Sequence, residues 1–233
     1  MSLFEDYATL KRWPIRSTNI MVEGESDRIY VELAARLHHA ATGRWLVGQD
    51  LSVFPPGDGD AGGVYGIQEQ LPVACSLAGV DLDANGKRRY RIVGLMDGDS
   101  AGKGIARSIV GANRSLLMWQ DVYLLQRVMP TRTRDVVGLG KHVDDENRKW
   151  RALDTVMEDL IDVTAFDLFA AECPQHCRPR QVLEGEYHYH FAEGGKPPFR
   201  RFVEQNGDLG TLARVVAMIA AMRFYLGLDV NGV

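Results

Sequence analysis

Three acidic strings have the composition and spacing to do chemistry. Asp97-Gly98-Asp99 sits in "VGLMDGDSAG", Asp58-Gly59-Asp60 in "FPPGDGDAGG", and Glu23 with Asp27 in "IMVEGESDRIY". Carboxylates brought together from separate segments make an oxygen-only site suited to Mg2+ or Mn2+. Such a site activates water and neutralises charge on a phosphate undergoing in-line displacement. An acid beside glycine is also an ordinary turn, so setting must separate the three. The Asp97 string follows a long apolar run, whereas the Asp58 string follows two prolines and reads as a loop at the rim.

The segments that must position these acids alternate strand and helix. "TNIMVEG" reads as a strand ending at Glu23, and "SDRIYVELAARLHHAA" as a helix with Ile29, Leu33 and Leu37 on one face, capped by Ser26. "DLSVFPP" reads as a short strand. A glycine-rich loop and a helix interrupted or kinked near Pro72 follow it. "RYRIVGLMD" is near-continuously apolar, as expected of a parallel strand covered on both faces. "SAGKGIARSIVGA" reads as a helix and "DVYLLQRVM" as another strand. The pattern predicts an α/β fold with a mostly parallel sheet flanked by helices, and ligands beyond the carboxyl ends of its strands. Glu23 and Asp97 fall at two of those ends.

Beyond about residue 130 the pattern changes. "TRTRDVVGLGKHVDDENRKW" reads as a polar loop, "RALDTVMEDLIDVTAFDLFAA" as helix, and "CPQHCRPRQVLEGEYHYHFAEGGKPP" as irregular or short-strand structure. The segment from Asp208 to Leu228 is an apolar helix burying Leu212, Val215, Val216, Ile219, Met222 and Phe224. The expected organisation is a catalytic domain over 1–130 with a mainly helical extension, 131–233, packed on it.

Bulk properties narrow the class. The 233 residues carry a net charge of −4, which does not favour binding through phosphates alone; a bound metal could supply positive charge locally. No apolar run approaches the roughly 20 residues needed to span a bilayer. The charged start is unlike a secretory leader, and three cysteines are too few and too uneven for a disulfide framework. These features predict a reduced, cytoplasmic protein without a membrane partner.

"IMVEGESDRIYVELAARL" followed by "RIVGLMDGDSAGKGIAR" resembles the Toprim domain of topoisomerases, bacterial primases and a set of nucleases. The resemblance covers roughly the first 130 residues and is nearer to the OLD-family and stand-alone Toprim nucleases of phage defence. It implies a Toprim-like fold and a nuclease cutting DNA or RNA with Mg2+ or Mn2+. Glu23 would be a metal ligand or general acid–base, Asp97 and Asp99 metal ligands, and Asp27 a ligand of a second ion. Ser100 is placed to approach a phosphate, with Lys103, Glu158, Asp159 and Lys196 as accessory candidates. The long separation of Glu23 from Asp97 argues against a primase or topoisomerase. No Gly-x-x-x-x-Gly-Lys-Ser/Thr loop occurs, so the resemblance implies a self-sufficient enzyme or one working with a separate ABC-type ATPase, in either case with nucleic acid as substrate.

Other readings compete. A Toprim-like module that binds a partner or nucleic acid without cutting it would explain the same motifs, with the apolar C-terminal helix as a docking or homodimer surface. A haloacid-dehalogenase-type phosphatase would use Asp97 as nucleophile but leaves Glu23 unexplained. Cys173, His176 and Cys177 with His188 and His190 could form a zinc site. Arg132, Arg134, Arg200 and Arg201 form short basic clusters that could track a phosphate backbone.

Overall fold

The computed structural model describes residues 2–57 and 62–230. Four parallel strands form the sheet: β1 (Thr18–Val22), β2 (Leu51–Phe54), β3 (Arg91–Met96) and β4 (Val122–Leu124). Their spatial order is β2-β1-β3-β4, with Val22 beside Leu95 and Met96 beside Leu124. The chain is therefore α/β. Connections run outward from β1 in one direction to β2 and in the other to β3, so the topological switch point lies between β1 and β3. Ligand sites in open parallel sheets form outside the carboxyl ends of the strands at such a point.

Both faces of the sheet are covered, which explains the continuously apolar strands. Side chains alternate along a strand, so Met21 enters one core and Ile20 and Val22 the other. The first core is closed by α1 (Leu3–Lys11), α3 (Gly63–Val80) and α4 (Ser100–Ala112). The second is closed by α2 (Glu25–Thr42), α5 (Val136–Asn147), α6 (Val163–Glu172), α7 (Lys196–Asn206) and α8 (Ala213–Tyr225). It joins sheet residues such as Val93 and Tyr123 to Leu139, Phe166, Phe199 and Met222. Fully burying each large apolar side chain contributes about 1.5–3 kcal/mol.

Several local expectations need correction. Helix α2 begins at Glu25 with Gly24 as its N-cap, so Ser26 is not the cap; the Asp27 carboxylate instead accepts the Gly24 N–H at 2.9 Å. Helix α3 runs unbroken through Pro72. The segment expected to be a polar loop contains α5, capped by Asp135, which accepts the Gly138 N–H at 2.7 Å. Only Leu139, Val143 and Asn147 of α5 are buried, a stripe too narrow to stand out among its charges and glycines. The long helix expected over 151–171 is confined to α6, preceded by a short 3-10 turn at 157–160. There the Asp159 carboxylate accepts the Val156 N–H at 3.0 Å, and Asp162 caps α6 on Thr164. A two-stranded hairpin, β5 (Gln181–Leu183) and β6 (Glu186–His188), precedes α7.

In α8, Leu212, Val215, Ile219 and Met222 are buried as expected, while Val216 and Phe224 are half-buried. Its apolar face packs on α2 within the same chain. Among the described residues no helix is long and apolar enough to cross a membrane.

Candidate functional site

Glu23 follows β1 and Asp97 follows β3, the two strands that flank the switch point. The Asp97 N–H donates to Glu23 Oε1 at 2.9 Å, joining the two motifs directly. The backbone around them is drawn tight from three sides. Gly63 N–H donates to the Glu23 carbonyl at 2.7 Å, Gly98 N–H to the Thr155 carbonyl at 2.7 Å, and Leu125 N–H to the Met96 carbonyl at 2.7 Å. A Cβ on Gly98 would lie 2.3 Å from the Leu125 carbonyl oxygen, and one on Gly102 would lie 2.1 Å from that of Asp97. Both positions demand glycine because the obstacle is backbone.

Asp99 is the N-cap of α4 and accepts the Gly102 N–H at 2.7 Å. Ser100 is exposed at the first position of that helix. Asp27, on the first turn of α2, is buried. Glu158 and Lys196 arrive from the second half of the chain and pair at 2.9 Å. Glu158 is 2% exposed in its side chain and Lys196 48%.

The electrostatics identify which acids share one environment. Burial, then the charge of Asp99 and of Glu158, pushes the Glu23 carboxyl up to about 7 against the lowering effect of the Asp97 N–H and Lys196. Burial, followed by the charges of Glu158 and Glu23, pushes Asp27 up to about 7. Burial and the charges of Asp27, Glu23 and Glu158 hold the Asp97 carboxyl well above the usual carboxylate range. Burial works against the Lys196 charge, but Glu158 and Asp97 outweigh it and raise its pKa. Desolvation and like charge favour protonated carboxyls, so the cluster either holds protons or calls for a cation.

Adjacent residues divide sharply here. Glu158 belongs to the cluster, whereas Asp159 points into a separate network. Its carboxylate takes the Val156 and Tyr189 N–H groups, lies 2.8 Å from His188 Nδ1, and lies 3.5 Å from Arg127. Asp159 is thus a structural hub and not an accessory of the carboxylate site. Lys103 reaches Asp154 at 3.4 Å. Asp58 and Asp60 lie outside the described residues.

Two neighbours escape a reading of the motifs alone. Tyr30, one turn along α2 from Asp27, is fully buried with a hydroxyl that finds no hydrogen-bond partner among the described residues. Its acidity is suppressed by burial and then by the charges of Glu158 and Asp27, which places it against the cluster. Its spacing from Asp27 was the available signal. Asp154 lines a cleft of about 470 Å3 together with Asp99, His188 and Lys196, and no sequence pattern marked it.

By chemistry, the oxygen donors of Glu23, Asp27, Asp97 and Asp99 suit a hard divalent cation. Glu23, Asp27 and Asp99 are each tied to a backbone N–H through one oxygen, and their second oxygens make no hydrogen bond among the described residues. As the side chains stand, no group of three or more His, Cys, Asp or Glu among the described residues could hold a metal ion. This applies equally to Cys173, His176, Cys177, His188 and His190, where His188 is engaged by Asp159.

The basic clusters are largely occupied. Arg132 pairs with Glu146 at 2.7 Å, Arg134 donates to the Phe224 carbonyl at 2.7 Å, and Arg200 lies 3.6 Å from Glu204. Arg201 is exposed. Comparison of the chain with protein-family models, with curated proteins and with solved structures found no match.

Proposed function

We propose that this protein is a metal-dependent nuclease of the Toprim type, hydrolysing a phosphodiester in DNA or RNA. The observation that carries the reading is the junction of half-buried Glu23 and Asp97 at the switch point, beside buried Asp27 and Glu158, with Lys196 reaching Glu158 from an exposed position. Glu23, Asp27, Asp97 and Asp99 would hold Mg2+ or Mn2+, which when bound supplies an activated water and neutralises phosphate charge. Without metal, burial and neighbouring charge hold the Glu23 carboxyl near 7; a bound cation would favour its ionised, ligating form. Lys196 offers positive charge beside the cluster. The α4 terminus presents backbone N–H groups where a phosphate can approach. The motif resemblance supports a phage-defence role, alone or beside a separate ATPase, in the cytoplasm.

One observation favours a second reading. The carboxylates of Glu23, Asp27 and Asp99 are each tied to backbone, and among the described residues no ready ligand set stands, as in a Toprim-like module that binds nucleic acid or a partner without cutting. One experiment separates the two. Plasmid, single-stranded DNA and total tRNA are incubated with the protein and Mg2+, Mn2+ or chelator, in parallel with Asp97→Asn. Cleavage that needs metal and Asp97 supports the nuclease. Absence of cleavage under every condition, with and without an ATPase partner, sinks it in favour of the binding module.

A further inference from the structure

A cleft of about 860 Å3, larger than the one beside Asp99, opens at the opposite end of the sheet. Thr18 and Arg91, which begin β1 and β3, line it together with Asp121 just before β4. Its volume lies in the range of small-molecule sites, and its charge is one-sided.

Arg88, Arg91 and Arg134 face this cleft without a carboxylate partner. Arg91 donates to the carbonyls of Leu226 at 3.3 Å and Gln120 at 3.2 Å, and Arg134 to the carbonyl of Phe224. Among the described residues Arg88 makes no hydrogen bond or ion pair through its side chain. Carbonyl partners fix a guanidinium without cancelling its charge, leaving its other donors for an anion. A fourth lining arginine, Arg89, is already paired with Glu5 and Asp81. Among the described residues the single lining acid is Asp121, which accepts the Leu117 N–H at 3.0 Å.

The wall of the cleft also carries an aromatic surface. Trp119 sits in the left-handed region at φ 62°, a conformation that costs a bulky residue energy and persists where surrounding structure demands it. The ring is backed by Gly140, where an added Cβ would come within 2.8 Å of it. Trp119 and Tyr90 both line the cleft, and aromatic lining beside uncompensated guanidinia matches a ligand that joins a base to phosphate.

We propose that this cleft binds a free nucleotide, its phosphates held by Arg88, Arg91 and Arg134 and its base lying along Trp119. The site is independent of the carboxylate cluster and of the nuclease reading. Isothermal titration of the full chain in EDTA, which suppresses metal-bridged binding at the carboxylates, tests it with ADP, adenosine, inorganic phosphate and a short single-stranded oligonucleotide. ADP should bind at least tenfold more tightly than either adenosine or phosphate. Arg88→Glu and Ser115→Glu, the latter at an exposed residue that also lines the cleft, should each weaken ADP at least tenfold while leaving the unliganded melting temperature unchanged. Glu23→Gln should bind ADP as the parent does. Failure of ADP to bind, undiminished binding by Arg88→Glu, or loss of binding in Glu23→Gln would each overturn the site. Phosphate binding as tightly as ADP, or the oligonucleotide competing it out at lower concentration, would overturn the assignment to a free nucleotide.

Discussion

Glu23 Oε1 accepts the backbone N–H of Asp97 at 2.9 Å across 74 residues of sequence. This bond welds the carboxyl ends of two neighbouring parallel strands and fixes the distance between the two acidic motifs. It also commits one oxygen of Glu23 to structure and leaves the other for chemistry. Substitutions at the two ends of this bond should separate activity from folding.

Asp97→Asn and Glu23→Gln keep size and hydrogen-bonding capacity while removing charge. On the nuclease reading each should lower cleavage at saturating metal by at least about a hundredfold, the scale of losing a group that acts on the reacting centre. Both should melt no lower than the parent in chelator. Gel-based cleavage of labelled substrate, with melting measured on the same samples, checks this.

Raised carboxyl pKa values make metal-free stability fall as pH rises. Asp27 is held at about 7 in the fold against an ordinary value of 3.8, so the folded state keeps its proton longer than the unfolded chain. The stability gained from this is complete below about pH 4 and is lost as pH climbs through 7. Asp27→Asn retains an acceptor for the Gly24 N–H and removes the charge. It should be more stable than the parent at pH 8 in chelator by about 2–4 kcal/mol, which is about 5 °C or more in melting temperature. The gain should vanish at pH 4, and Mg2+ should stabilise the parent more than the variant. Scanning calorimetry over pH 4–8 reads all three; a variant no more stable at pH 8 would refute it.

The hub at Asp159 should behave oppositely to Glu158. Asp159→Ala leaves Arg127 and His188 without their buried partner and should cost about 3–5 kcal/mol, seen as a lower urea midpoint. Hydrogen bonding to Asp159 raises the His188 pKa, so that part of the loss should be largest below about pH 6.5 and shrink as pH rises through the raised value. Glu158→Gln should change the unfolding free energy measured in urea by no more than about 1 kcal/mol, the usual scale for a hydrogen bond that the amide partly replaces, and should impair cleavage.

Backbone contact, and not conformational freedom, fixes Gly98 and Gly102. A Cβ at either would press within 2.3 Å or 2.1 Å of a carbonyl oxygen. Gly98→Ala and Gly102→Ala should each destabilise by about 2 kcal/mol or more, because the obstacle cannot rotate away. Urea unfolding measures this, with Gly104→Ala as control, since no atom lies within 4 Å of a Cβ there.

The sequence alone determined the alternation of strands and helices from β1 to α4 and the positions of Glu23 and Asp97 at strand ends. Those features are written in local periodicity: an apolar run stopped by an acid and glycine reads as a strand end wherever it occurs. What the periodicity left out was α1, which buries only Phe4 and Ala8, α5, whose buried stripe is three residues wide, and the true extent of α6, whose start is set by Asp159 and Asp162 acting on backbone N–H groups. The strand order, and with it the switch point that puts Glu23 beside Asp97, was decided only by tertiary packing. So was the division between Glu158 and Asp159, adjacent in sequence yet belonging to different networks. Shared desolvation and charge act through space, and one residue of chain is enough to turn a carboxylate from one environment into the other.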